Sequence, residues 1–133
     1  MKTVPVSDLS AKAFQPFGSF ARIVDPDSEK LGEPPVEFYR DIIQGDLEAS
    51  APASFSNCRV EARPLVIEWA EYHNRTCEGI LPLDNDVLIH VGPATPPGAP
   101  IPVEKFQVFR VPKGTMVILR PGIWHHAPFT AND

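Results

Sequence analysis

Sixteen of the 133 residues are proline, about 12%, where globular chains carry about 5%. Proline fixes φ and removes an amide donor, so it breaks a helix and is confined to turns, strand edges and loops. With eight glycines added, long helices are excluded. Short strands joined by many turns are what such punctuation permits. Pro93 to Pro102 holds five prolines in ten residues and must be a loop. Asp25 to Pro35, with three prolines, a glycine and several charges, is read as an exposed loop.

Between these breaks the strand signal repeats. Thr3 to Val6, Ser19 to Val24, Glu37 to Ile43, Ser54 to Ala62, Leu65 to His73, Cys77 to Leu81, Val87 to Val91, Glu104 to Val111 and Thr115 to Arg120 are candidate strands. The later ones are rich in β-branched or aromatic residues and bounded by Pro, Gly, Asn or Asp. Ser10 is placed to cap one brief helix through Phe14, which Pro16 and Gly18 end. Many short strands without intervening helices predict an all-β antiparallel sandwich or barrel.

The length suits one domain, residues 1–133, with one core. Hydrophobic residues at 43% and charged residues at 22% argue against disorder and a coiled coil. Twelve basic against seventeen acidic residues leave a net charge of −5, so no nucleic-acid or anionic-membrane surface is expected. No apolar run reaches the roughly 20 residues of a membrane span. The N-terminus lacks the apolar stretch of a signal peptide, and Cys58 and Cys77 form no metal or redox spacing. A cytoplasmic location with reduced thiols is the expectation.

All four histidines, His73, His90, His125 and His126, lie in the second half. On a strand, Ile67, Trp69, Glu71 and His73 share one face, so a carboxylate and an imidazole would sit in the mouth of a barrel that this face lines. In Pro121-Gly122-Ile123-Trp124-His125-His126, a turn leads at once into adjacent histidines that point to opposite sides of an extended chain. One can face a pocket while the other packs or meets solvent. His90 alternates with Ile89 and Val91 and is expected to be satisfied or half-exposed. Trp69 and Trp124 read as core or pocket wall.

Gly114, Pro121, Gly122 and His125 resemble the second motif of the cupin superfamily, and Glu71-x-His73 followed by Glu78 resembles its first, with a carboxylate in place of the first imidazole. Within the cupins, Glu-x-His followed by Trp-His-His resembles the ureidoglycolate lyase family. Ala13-Phe14-Gln15-Pro16-Phe17-Gly18 resembles that family's opening, Glu37-Phe38-Tyr39-Arg40-Asp41 falls at its Tyr-x-Asp segment, and Arg59 at its arginine strand. Two departures accompany the likeness. Arg120 stands where members commonly have another histidine, and members commonly continue further, with another strand and acidic residues.

The resemblance implies a cupin-like double-stranded β-barrel (jelly roll) with a short N-terminal helix, a homodimer, and cleavage of ureidoglycolate to glyoxylate and urea. That chemistry needs a base for the carbinol proton, an acid for the departing nitrogen and a cation for the carboxylate. His125 or Glu71 would be the base, and His73 the acid or electrophilic partner. Arg59 or Arg120 would hold the small-molecule carboxylate, with Trp124 and His126 also on the substrate side. Glu71, His73, Glu78 and His125 would alternatively hold Ni²⁺, Zn²⁺, Mn²⁺ or Fe²⁺. A non-catalytic or metal-dependent cupin binding a small carboxylate or sugar is the alternative expectation.

Overall fold

Alternation along Thr115–Leu119 places the core. Thr115, Val117 and Leu119 are buried while Met116 and Ile118 are half-buried, the period-2 pattern of a strand with one face inward. The computed structural model describes residues 2–23, 26–27, 29–31, 38–39, 42–45, 58 and 60–131. Among them the elements are β1 (Val6–Asp8), α1 (Ala11–Phe14), β2 (Gly18–Arg22), β3 (Lys30–Leu31), β4 (Phe38–Tyr39), β5 (Glu78–Ile80), β6 (Val87–Val91), a 3₁₀ turn (Val103–Lys105), β7 (Gln107–Val111), β8 (Thr115–Leu119) and β9 (Phe129–Thr130).

Two sheets carry the fold. One runs β1-β7-β6-β9, with β1 parallel to β7 and the other pairs antiparallel; the other runs β2-β8-β5, all antiparallel. β3 and β4 form a separate two-residue ribbon. Phe14, Phe17, Ile89, Val91, Phe109, Val111, Val117, Leu119 and Ile123 form one shared core drawn from α1 and both sheets. The architecture is all-β and cupin-like with one short helix. No ladder joins the two sheets edge to edge among the described residues.

Aromatic residues fill the centre. The Phe14 ring stands edge-on to Phe109, with centroids 5.1 Å apart, and also touches Phe17 and Phe20. Such pairs add to the area they bury. α1 exists to deliver Phe14: the Ser10 hydroxyl accepts from the Ala13 amide at 3.3 Å, satisfying one of the amides that a helix start leaves open.

Several expected elements shift or fail. The first strand lies at Val6–Asp8, set by its pairing with Val108–Arg110, not at Thr3 to Val6. The strand expected over Glu104 to Val111 begins only after the 3₁₀ turn. Leu65 to His73 forms no ladder; only Glu71 makes an isolated bridge. Pro64 lacks an amide, and the one local backbone bond among the described residues is Val66 N–H to the Pro64 carbonyl. Leu65 and Trp69 are 65% and 73% exposed. Most of the expected Ser54 to Ala62 strand and of the Asp25 to Pro35 loop, and Glu37, Arg40 and Asp41 of the Glu37 to Ile43 strand, lie outside the described residues.

Phe109 is fully buried between α1 and the two sheets. Phe109→Ala is expected to lower unfolding free energy by about 3–5 kcal/mol, read from denaturant midpoints. A loss below about 1 kcal/mol would remove Phe109 from the centre of the core.

Candidate active site

The Pro121-Gly122 turn starts the site. Gly122 has φ +84°, a left-handed conformation that glycine takes without strain. Its amide donates to the His73 carbonyl at 2.7 Å. Two residues on, Trp124 exchanges both backbone bonds with Gly92, and His125 exchanges both with Glu71, at 2.7 and 2.8 Å. Main-chain bonds thus tie residues 71–73 to 122–125.

That tie brings the side chains together. The His73 and His125 ring centroids are 5.3 Å apart, and ligand atoms of Glu71, His73 and His125 all lie within 4.8 Å of one another. Glu78, on β5, reaches the same place. Its Oε2 lies 2.9 Å from His73 Nε2 and 3.1 Å from His125 Nε2. His125 is buried, at 3% exposure, while Glu71 and His73 face solvent. The result is a carboxylate between two imidazoles at the edge of the core.

The tautomer of His125 follows from its partners. Nδ1 faces the Ile123 carbonyl at 2.8 Å, which only accepts, so Nδ1 carries a hydrogen. Nε2 then points at a carboxylate oxygen. A neutral ring would set a lone pair against that negative charge, so Nε2 wants either a second proton or a cation. Burial opposes charging His125, but the Glu78 hydrogen bond, the Ile123 carbonyl and the charges of Glu78 and Glu71 outweigh it, and its pKa is raised above 6.5. The His125 hydrogen bond is the largest influence on Glu78; with the charges of both imidazoles it overcomes burial and holds the carboxyl below 4.5.

Other expected site residues fall elsewhere. Arg120 shares the outward parity of Ile118, and its guanidinium donates to the Gln15 carbonyl. It lines a groove of about 350 Å³ with Ser19, Cys77 and Pro121. Trp124 also turns from the imidazoles: its Nε1–H donates to Thr95 Oγ1 at 3.1 Å. His126 points into a cavity of about 190 Å³ lined by Arg63, Trp69, His90 and Phe129. Arg59 lies outside the described residues. Sequence reasoning overlooked the Ile123 carbonyl, a main-chain atom without any side-chain signal.

His90 corrects another expectation. It faces away from Ile89 and Val91, yet it is 2% exposed, and neither ring nitrogen has a hydrogen-bond partner among the described residues. Phe106 and Phe129 flank the ring. Burial lowers its pKa to about 4, against an opposing pull from the Trp69 backbone.

Two pH dependences follow. Below pH 6.5 an unfolded His90 binds a proton that the folded ring refuses until about pH 4. Stability therefore rises with pH across that window, by roughly 3 kcal/mol in all. His90→Leu should flatten this limb in urea midpoints measured by pH, and an unchanged slope would place its cause elsewhere. For the clustered pair the signs differ. Glu78 stabilises above its ordinary value of 4.5 and loses this as pH falls through its lower folded value; His125 stabilises below 6.5 and loses this as pH rises through its higher one. The stability difference between wild type and Glu78→Gln should thus peak between about pH 4.5 and 6.5; a pH-independent difference would count against the ion pair.

Comparison with known proteins identifies the family. The family model described as "Ureidoglycolate lyase" matches residues 1–132. A protein of Rhodobacter capsulatus named "Ureidoglycolate lyase" is 25% identical over 127 residues, covering 94% of this chain and 77% of that protein. With its β-sheets, its Glu71-x-His73 and its Trp124-His125-His126 segment, the chain belongs to the ureidoglycolate lyase family of the cupin superfamily.

Proposed function

We propose that the protein is a carbon–nitrogen lyase that splits ureidoglycolate into glyoxylate and urea. The observation that carries this reading is the convergence of Glu71, His73 and His125 within 4.8 Å, with Glu78 between the imidazoles. Glu71 is an exposed carboxylate on a main-chain-fixed position, suited to take the carbinol proton. As the O–H electrons form the carbonyl of glyoxylate, the C–N bond breaks and its electrons pass to the urea nitrogen. His73, the solvent-exposed imidazole beside Glu78, supplies the proton that nitrogen needs, and Glu71, whose ligand atom lies within 4.8 Å of that ring, returns its proton there. His125, with both ring nitrogens engaged by Ile123 and Glu78, holds Glu78 in place. General acid–base help of this kind contributes about 10²- to 10⁴-fold.

The same donor set fits a divalent cation. The Ile123 carbonyl fixes the His125 Nδ1–H and turns Nε2 inward, the outer-shell arrangement usual for a ligating histidine. Glu71, His73 and His125 would hold the ion, with Glu78 beside them; two imidazoles with carboxylates suit Ni²⁺, Zn²⁺, Mn²⁺ or Fe²⁺. Such an ion would supply Lewis-acid polarisation of a substrate oxygen.

Arg59 remains our assignment for the substrate carboxylate, on the family resemblance. A homodimer is also our reading, supported by the exposed apolar side chains of Leu65 and Trp69. No helix among the described residues is long and apolar enough to cross a membrane, and we assign the protein to the cytoplasm.

Purified protein incubated with ureidoglycolate, with and without Ni²⁺ or Mn²⁺, should release glyoxylate. Glu71→Gln should lower kcat by about 10²-fold or more. Absence of turnover under every metal condition, with small carboxylates still bound, would leave a non-catalytic cupin instead.

A further inference from the structure

Behind the imidazole pair stands a second pair of rings. Tyr72 and Trp124 precede His73 and His125 in the chain, and their rings meet edge-to-face with centroids 4.7 Å apart. Consecutive side chains in extended chain point to opposite sides. The contacts follow that rule: Trp124 meets Tyr72 and Thr95, while His125 meets His73 and Glu78. One crossing of two segments thus carries an aromatic pair on one side and an imidazole pair on the other.

Three constraints hold the aromatic side. The indole N–H ends on the Thr95 hydroxyl at 3.1 Å. The Trp124 backbone is bonded both ways to Gly92, at 2.8 and 3.0 Å. At Gly92 an added Cβ would lie 3.2 Å from the Phe106 ring and 3.3 Å from Trp124 Cβ, so the segment has little room to slide. Thr95 sits inside the proline-rich loop, whose restricted backbone gives the hydroxyl a fixed place. The indole has two rotatable bonds, and both are committed by these partners. On the opposite side the His73 ring is solvent-exposed and is held by Glu78, 2.9 Å from its Nε2, beside the His125 ring.

We infer that Thr95 and Tyr72 are positioning residues that act through Trp124 to set how far apart the His73 and His125 rings stand. The Tyr72 ring, not its hydroxyl, makes the contact, so phenylalanine should serve and leucine should not. The kinetic part of the test rests on the lyase reading; the spectroscopic part does not.

The experiment compares Thr95→Val, Tyr72→Leu and Tyr72→Phe with the wild-type protein. Leu88→Val serves as a destabilised control, because Leu88 pairs with Phe129 on β9 away from the site. Ring ¹H–¹⁵N spectra of the histidines should show the His73 and His125 signals displaced in Thr95→Val and Tyr72→Leu, at wild-type positions in Tyr72→Phe and Leu88→Val. With ureidoglycolate, the first two variants should lose roughly tenfold in kcat at unchanged KM, and Tyr72→Phe should retain wild-type kcat. Ring signals unmoved in Thr95→Val and Tyr72→Leu, or moved equally in Leu88→Val, would overturn the assignment. Displaced signals without turnover in any protein, wild type included, would uphold the positioning role and overturn the lyase reading.

Discussion

The site depends on four main-chain hydrogen bonds between distant segments. Glu71 and His125 exchange two bonds, and Gly92 and Trp124 exchange two more. Each backbone bond contributes only about 1 kcal/mol net, but their geometry is what matters. The first pair crosses segments some fifty residues apart and leaves Glu71, His73 and His125 with no choice but to converge. Glu78 arrives independently, carried by β5 on the inward parity of Ile80, which packs against the core. Backbone pairing supplies the position, and the carboxylate then supplies the charge that two imidazoles answer.

That charge sets the chemical character of His125. A buried histidine without a charged acceptor behaves like His90, whose proton affinity falls because burial outweighs the opposing pull of the Trp69 backbone. His125 is as deeply buried, yet its affinity rises, because Glu78 and the Ile123 carbonyl take both ring nitrogens. Two imidazoles in one molecule are thus driven in opposite directions by the presence or absence of a partner.

Much of the fold was legible in the sequence. Val87–Val91 falls where its β-branched run predicted, and the Ser10 cap and the Pro93 to Pro102 loop stand as read. Local chemistry dictates these features. Leu65 to His73 was misread because alternation reports which side chains a strand would need, not whether a partner strand is there; Pro64 and the missing ladder decide that tertiary question. The burial of His90 was hidden for the same reason, since it depends on Phe106 and Phe129 covering the second face of β6. Within the site, Glu71, His73 and His125 were visible from spacing and family likeness. Arg120 was not placeable, because its direction turns on whether Ile118 or Leu119 is core, and Leu119 is.

Because the crossing at Glu71 and His125 is built from amides and carbonyls, it is indifferent to the side chains it displays. At the exposed Glu71 position many side chains can stand without unmaking the scaffold, while the buried His125 position admits those that fit its enclosure. A chain of this design can exchange its reactive groups one at a time, acquiring or discarding a chemistry while its architecture persists, which is a route by which one small β-fold comes to serve unrelated reactions.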